Sequence, residues 1–268
     1  MGTTKSKGRK DELDRFFTPD EVSQRCIDSL DLGKYDVIIE PSAGGGSFSN
    51  KIEGVIAYDI EPAADGIQKA DWFEVDKSQF KGKVLIVGNP PFGQQNSLAT
   101  RFFNESATFA ETIAFILPKT FRKASIQNRL DLNFHLSSEL DLGDVAFDME
   151  GEKITVPCVF QVWDRGAAKR KKKRLRTTTE LFDFVSKDEA DFRIQRVGGN
   201  AGKASFDLNY SVQSNYFVKN RTDMTNEEFV ELINNTVFAG ATDTVGPKSV
   251  GKGEMIATLE EILLEEEN

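Results

Sequence analysis

The sequence predicts an α/β fold with a mainly parallel sheet over its first two-thirds and a smaller α+β element behind it. Three observations carry this reading. Short apolar runs alternate with helix-like stretches, a glycine-rich turn follows the first run, and the alternation breaks near 164–180.

Thr18-Pro19-Asp20-Glu21 reads as a helix start, with proline in the first turn, leading into EVSQRCIDSLDL. Apolar runs follow at 36–40 (DVIIE), 55–59 (VIAYD), 84–88 (VLIVG) and 112–117 (TIAFIL), the last ending at Pro118. Each is too short for a buried helix and fits a strand covered on both faces. Between the last two, SLATRFFNESATFAE (97–111) has helical spacing of its apolar residues, and TFRKASIQNRLDL after Pro118 suggests another helix. Segments 136–142 and 157–163 read as two further strands.

The basic run and Thr177-Thr178-Thr179 then interrupt the pattern. They divide the chain into a flexible basic tail (1–14), a core domain (15–165), a basic linker or loop (166–179) and a C-terminal α+β appendage (180–268). In the appendage, Gly198-Gly199-Asn200-Ala201-Gly202 is a turn signal, and NEEFVELINNTVF is a helix with Thr225 as its cap.

Bulk properties narrow the function. The 268 residues are 39% hydrophobic and 29% charged, which allows a sizeable core. No apolar run approaches the length of a membrane span, and MGTTKSKGRKDELD lacks the apolar stretch of a secretory signal. Gly2 and Ser6 match a myristoylation pattern, but the match is short and a basic tail is the simpler reading. Cys26 and Cys158 sit among apolar neighbours, as small core residues of a reducing compartment, cytoplasmic or nuclear. His135 is the single histidine, so no histidine triad or Cys/His metal site can be assembled. Net charge is −9, yet 165–176 (RGAAKRKKKRLR) holds eight basic residues in twelve. Such a strip can grip phosphates in a salt-dependent way, or it can be a solvated linker or a localisation run.

The glycine turn, Glu40-Pro41-Ser42-Ala43-Gly44-Gly45-Gly46-Ser47-Phe48, closes the first strand. Its glycines let backbone approach a ligand and leave N–H groups pointing outward. The next strand ends in Asp59, the place where a nucleotide fold puts its ribose-binding acid. Further on, Asp71 and Trp72 suit an adenine amino group and its ring face. The loop is not G-x-G-x-x-G, and Glu40 would repel a pyrophosphate. S-adenosylmethionine has no phosphate and carries an amine and a sulfonium, so the acids favour it over a dinucleotide.

The ordered motifs RFFTPDEV (15–22), EPSAGGGSF (40–48), YDIEP (58–62), ADWF (70–73) and GNPPFG (88–93) resemble the S-adenosylmethionine-dependent adenine-N6 methyltransferases, in the arrangement with the F-T-P segment first. The resemblance covers about 15–165 and implies a Rossmann-like seven-stranded methyltransferase sheet, helices on both faces, with its last strand antiparallel. It places Phe17, Thr18 and Pro19 beside the cofactor methionine, and Glu40, Ser42, Gly44 and Gly46 around its amino-acid end. Asp59 and Ile60 go to the ribose, and Asp71 and Trp72 to the adenine. The family's large target-recognition domain has no obvious counterpart.

In that light Asn89-Pro90-Pro91-Phe92 is the catalytic loop. An exocyclic amine is a poor nucleophile because its lone pair is delocalised into the ring. Two placed acceptors, the Asn89 side-chain oxygen and the Pro90 carbonyl, would hold both N–H bonds and favour a tetrahedral nitrogen. The prolines stiffen the loop, and Phe92 offers a face to a base drawn from its stack. Lys119, Arg122, Lys123 and the run Lys169, Arg170, Lys171, Lys172, Lys173, Arg174 are the candidate nucleic-acid contacts. Gln94, Gln95 and Asn96 either touch bases or simply connect to the next helix. The reading is methyl transfer to adenine N6 in nucleic acid, DNA ahead of RNA, without metal, membrane or a settled oligomeric state. Methylation of a protein glutamine amide poses the same chemical problem, though those enzymes usually carry tyrosine where Phe92 stands. A non-catalytic binding subunit is the third alternative.

Overall fold

The computed structural model describes residues 16–149, 151–173, 176–244 and 246–265. The tail expected at 1–14 and the basic residue Arg174 lie outside them. Two compact units emerge: the first runs to Pro118 and adds Arg129–Lys171, and the second combines Lys119–Asn128 with the chain from Lys172 onward.

The first unit is built on a seven-stranded sheet. Its strands are β1 (Val37–Glu40), β2 (Ile56–Asp59), β3 (Gln68–Lys69), β4 (Val84–Gly88), β5 (Thr112–Pro118), β6 (Phe134–Met149) and β7 (Glu152–Arg165), in the order β3-β2-β1-β4-β5-β7-β6. Neighbouring strands from β3 to β5 pair parallel, and β7 runs antiparallel to both β5 and β6. Every residue of β4 and β5 is buried, which is why both read as unbroken apolar runs with no polar alternation.

Its α-helices among the described residues are α1 (Asp20–Asp28) and α2 (Ser97–Ser106). The first buries Val22, Cys26 and Ile27 and carries Asp20 and Glu21 in its first turn, favourable for the helix dipole. The second buries Ala99, Phe102 and Phe103, and Phe103 meets Trp163 edge-on at 5.6 Å. The chain behind β1 makes hydrogen-bonded turns, Asn50 N–H to Gly46 O and Ile52 N–H to Phe48 O. Cys26 and Cys158 are both buried, as read from the sequence, and burial pushes the Cys26 thiol up to about 12.

The β6–β7 hairpin is longer than the two strands read from the sequence. Its pairing continues from Gly143↔Cys158 to Met149↔Glu152, past the last rung with β5 at Pro118↔Cys158. Register shifts at Leu136/Ser138 and Asp141/Gly143 mark bulges, which add local twist. Near its far end Asp148 forms an isolated antiparallel bridge with Phe17, Phe17 N–H to Asp148 O at 2.9 Å. The F-T-P segment is therefore tethered to the hairpin.

In the second unit, β8 (Phe182–Phe184), β9 (Phe192–Gln195), β10 (Ala204–Ser205) and β11 (Asn215–Asn220) form an antiparallel sheet in the order β10-β9-β11-β8. With it are α3 (Ala124–Gln127), α4 (Asn226–Asn235) and α5 (Lys252–Glu265). Phe182, Phe192, Phe229, Ile233, Met255 and Leu259 are core members. Thr225 caps α4 in a capping box with Glu228, as the sequence signals.

The segment after Pro118 departs from the expectation. It is a 3₁₀ turn (Lys119–Arg122) followed by the four-residue α3, and it groups with the second unit, not with a continuous 15–165 domain. Arg122 pairs with Asp243 at 3.3 Å, and Lys123 Nζ donates to Ser249 O at 3.4 Å. These two charges, read as nucleic-acid contacts, also have partners within their own unit.

Candidate functional site

Strand order reverses between β1 and β4, and at such switch points the carboxyl ends of strands open a crevice. A cavity of about 340 Å³ lies there in the first unit. Its walls include Phe17, Ser42, Gly44, Asp59, Ile60, Asp71, Trp72, Asn89 and Pro91 of the residues singled out by sequence.

Asp59 organises the floor. Its carboxylate accepts from Gly44 N–H at 2.7 Å through one oxygen and from Glu61 N–H at 2.8 Å through the other. A carboxylate oxygen can accept more than one hydrogen bond, so a group of this kind suits ribose hydroxyls as well as backbone N–H groups. Gly44 and Gly46 have φ of +53° and +84°, and a Cβ on Gly46 would lie 2.7 Å from Asn50 Nδ2. The loop therefore needs glycine at Gly46 for its conformation, although Gly46 does not line the cavity. The Phe17 ring lies against the glycine turn.

Asp71 accepts from Phe73 N–H at 2.9 Å through Oδ1, which fixes the turn beside the cavity. Trp72 departs from its expected role as an open ring face. It is only 2% exposed, and its ring packs against Tyr58 and Phe109 with Lys77 Nζ 4.6 Å above it. Exposed apolar surface comes instead from Ile60, which is 47% accessible.

Glu40 is displaced from its expected place at the cofactor. It is 2% exposed, absent from the cavity wall, and its Oε2 accepts from Ser49 N–H at 2.8 Å. Burial, working against the Ser49 and Phe48 hydrogen bonds, pushes its carboxyl up to about 8. Glu40 thus ties β1 to the turn behind it.

Asn89 follows β4 directly. Its Nδ2 donates to Phe16 O at 3.2 Å and to Thr18 Oγ1 at 3.1 Å, which leaves Oδ1 buried without a partner. A backbone carbonyl can only accept, so this arrangement fixes which end of the amide is the free oxygen. The Asn89 backbone carbonyl accepts from Ser42 Oγ at 3.3 Å and so links the catalytic-loop candidate to the glycine turn. Pro91 lines the cavity, while Pro90 is buried behind it. Phe92 is 7% exposed and packed against Phe16 at 5.5 Å and Phe147 at 6.1 Å, so it braces the loop and presents little free face. Thr18 is 8% exposed and turned to Asn89, and neither it nor Pro19 lines the cavity.

Sequence reading missed Phe16, Glu61, Phe73, Leu98, Arg101 and Phe102, which all line the cavity. Leu98, Arg101 and Phe102 stand at i, i+3, i+4 on α2, a spacing that puts them on one helical face. The Arg101 guanidinium lies 3.6 Å from the Phe73 ring centre. Among the described residues of the wall, Asp59, Glu61 and Asp71 are acids and Arg101 is the one cation. That balance suits a cationic ligand better than a pyrophosphate.

The basic strip is mixed. Lys169, Lys171, Lys172 and Lys173 are exposed, but Arg170 turns inward, donating to Phe134 O at 2.9 Å and Leu130 O at 3.1 Å. Burial lowers the Arg170 pKa. No cluster of three or more His, Cys, Asp or Glu suited to a metal occurs among the described residues, and no helix among them is long and apolar enough to cross a membrane.

The strand order with its antiparallel β7, and the glycine turn at the switch point, define a Rossmann-like α/β fold with the seven-stranded arrangement that the sequence resemblance to methyltransferases implies. No protein-family model matches the chain. It is similar, at 31% identity over 128 residues, to the Arabidopsis thaliana protein ENHANCED DOWNY MILDEW 2; the match covers 40% of this chain and 10% of that one. The chain thus spans about a tenth of that relative's length. Among solved structures it resembles PH1948 from Pyrococcus horikoshii, assigned to the RNA methyltransferases, at 18% identity and TM-score 0.41, over 60% of this chain and 91% of that one. It also resembles TrmN from Thermus thermophilus at 16% identity and TM-score 0.36, over 55% and 48%. These are distant likenesses, and the fold class rests on strand order and direction.

Glu40 yields a pH test. Its folded pKa, about 8, lies above the ordinary 4.5, so between those values the folded chain keeps a proton that the unfolded chain gives up. Stability from this group is complete below pH 4.5 and is lost as pH rises through 8. Thermal melts of Glu40→Gln across this range should lack the downward slope of the parent. An equal slope in both would show that Glu40 is not the titrating group.

Proposed function

We propose that this chain transfers the methyl group of S-adenosylmethionine to the N6 amine of adenine in nucleic acid, with DNA as the first substrate. One observation carries the reading: the buried Asn89 Oδ1 has no partner, at a cavity walled by Asp59, Asp71 and Ile60. An unsatisfied buried acceptor is costly, and an incoming N–H donor would relieve it.

The residues present fit the cofactor. Asp59 would take the ribose, Asp71 the adenine amine, and Phe17, Ser42 and Gly44 would border the methionine end. When bound, S-adenosylmethionine supplies a methyl on a sulfonium, ready for in-line displacement. The protein's part is to hold the target amine. With its amide hydrogens committed to Phe16 and Thr18, Asn89 can only accept, so it selects a nitrogen that donates. A second acceptor beside it, the role the sequence suggests for the Pro90 carbonyl, would suit an NH₂ group with both hydrogens presented. Two such acceptors favour a tetrahedral nitrogen as the new bond forms, a form of transition-state stabilisation by placed dipoles. The exposed lysines of 169–173 would meet phosphates.

Incubation with labelled cofactor and separate DNA, RNA and protein substrates, followed by nucleoside mass spectrometry, tests the reading. N6-methyladenine in DNA is the expected product. Label in RNA alone would move the substrate, and label in glutamine would replace the proposal. Asn89→Ala should lower turnover about a hundredfold with cofactor affinity little changed, from loss of one placed acceptor; undiminished turnover would discard the mechanism. Asp59→Ala should weaken cofactor binding in calorimetry by about tenfold or more. Equal affinity would remove Asp59 from the site.

A further inference from the structure

We infer that Thr18 is a positioning residue for Asn89: its hydroxyl, together with the Phe16 carbonyl, locks the amide so that Oδ1 is the group offered to the substrate amine. The inference rests on the function proposed above and gives Thr18 a role other than lining the cofactor.

Three observations and the geometry of an amide converge. Asn89 Nδ2 donates to Thr18 Oγ1 at 3.1 Å and to Phe16 O at 3.2 Å, so both of its hydrogens are engaged. The amide is planar, and fixing its nitrogen fixes the oxygen. Rotation by half a turn would put Oδ1 against the Phe16 carbonyl, acceptor against acceptor, a pairing that forms no hydrogen bond. Oδ1 is buried and unpaired, the state expected of an acceptor reserved for a ligand.

Thr18 is itself held. It is 8% exposed, and its carbonyl accepts from Ser47 Oγ at 2.9 Å. The residue before it is bridged to Asp148, Phe17 N–H to Asp148 O at 2.9 Å and Asp148 N–H to Phe17 O at 3.3 Å. Side chain and backbone are thus fixed by different elements of the first unit. A hydroxyl on a pinned backbone is a more exact partner than one on a free chain end, because little orientation is left to be lost.

The polarity of the contact matters as well. Each hydrogen bond donated by the nitrogen draws electron density toward Oδ1, which makes that oxygen a better acceptor for the next donor in line. The clamp therefore both aims and strengthens the group that receives the substrate amine.

Thr18→Val keeps the size of the side chain and removes the acceptor, whereas Thr18→Ser keeps the hydroxyl. Thr18→Val should lower kcat about five- to tenfold, the loss of one neutral hydrogen bond, with cofactor affinity in calorimetry within about twofold of the parent. Thr18→Ser should stay within about twofold on both measures. An unchanged kcat in Thr18→Val overturns the inference, as does a cofactor affinity that falls in step with kcat. So does a Thr18→Ser variant as impaired as Thr18→Val. A second readout needs no turnover: the Asn89 side-chain amide pair in ¹⁵N NMR, assigned by its absence in Asn89→Asp. One of its protons should shift and exchange faster in Thr18→Val, and an unaltered pair refutes the contact. If the parent methylates no nucleic acid, the proposed function falls, while the amide signal still decides the hydrogen bond.

Discussion

The site hangs on one carboxylate. Asp59 accepts the amide hydrogen of Gly44 with one oxygen and that of Glu61 with the other, and so fastens the turn after β1 to the turn after β2. Two separate crossovers become a single concave surface. Glycine at Gly44 and Gly46 permits the turn but does not choose it, since glycine's breadth of conformations is an entropic cost on folding. The carboxylate makes the choice. Hydrogen bonds to a charged acceptor are stronger than neutral ones, and here two converge on one group.

Around that clamp the acids divide by environment. Glu40, from the end of β1, is buried and driven toward its neutral form. Asp59, Glu61 and Asp71 line the cavity, so the negative field there belongs to groups that border the ligand. Asn89 adds an uncharged acceptor whose orientation comes from the F-T-P segment. The result is a wall rich in acceptors, with three acids to one cation among its described residues. Arg101, stacked on Phe73, is the exception on this wall.

How much of this the sequence disclosed follows from the kind of signal each part leaves. The parallel strands were legible because strands covered on both faces become unbroken apolar runs, and β4 and β5 are buried throughout. Gly44 and Asp59 were legible because a strand end fixes where its next residues must lie. The outer half of the β6–β7 hairpin was not, because its exposed Asp144 and Asp148 alternate with buried Val145 and Phe147 next to charged turn residues. Arg101 was hidden because a cation on an amphipathic helix ordinarily faces water. Phe92 and Glu40 were placed one layer too far forward: both belong to the machinery, yet they brace loops instead of facing the cavity. The partners of Arg122 and Lys123 within the chain were not legible, because charge says nothing of which surface a side chain turns to.

The strand order also sets a timetable for the growing chain. Strand β6 is made before β7 but has no seat beside β5 until β7 exists to stand between them. Asp148, near the end of β6, is the partner that holds Phe17, and Phe16 reaches Asn89 across 73 residues of sequence. A segment made before every strand of the sheet is therefore among the last to be secured. Such long-range pairing is slow compared with local contacts, and unpaired edges are exposed while it waits. A nascent chain halted before β7 would carry the glycine turn, Asn89 and Thr18, yet would lack the strand that seats β6, to which Phe17 is bridged.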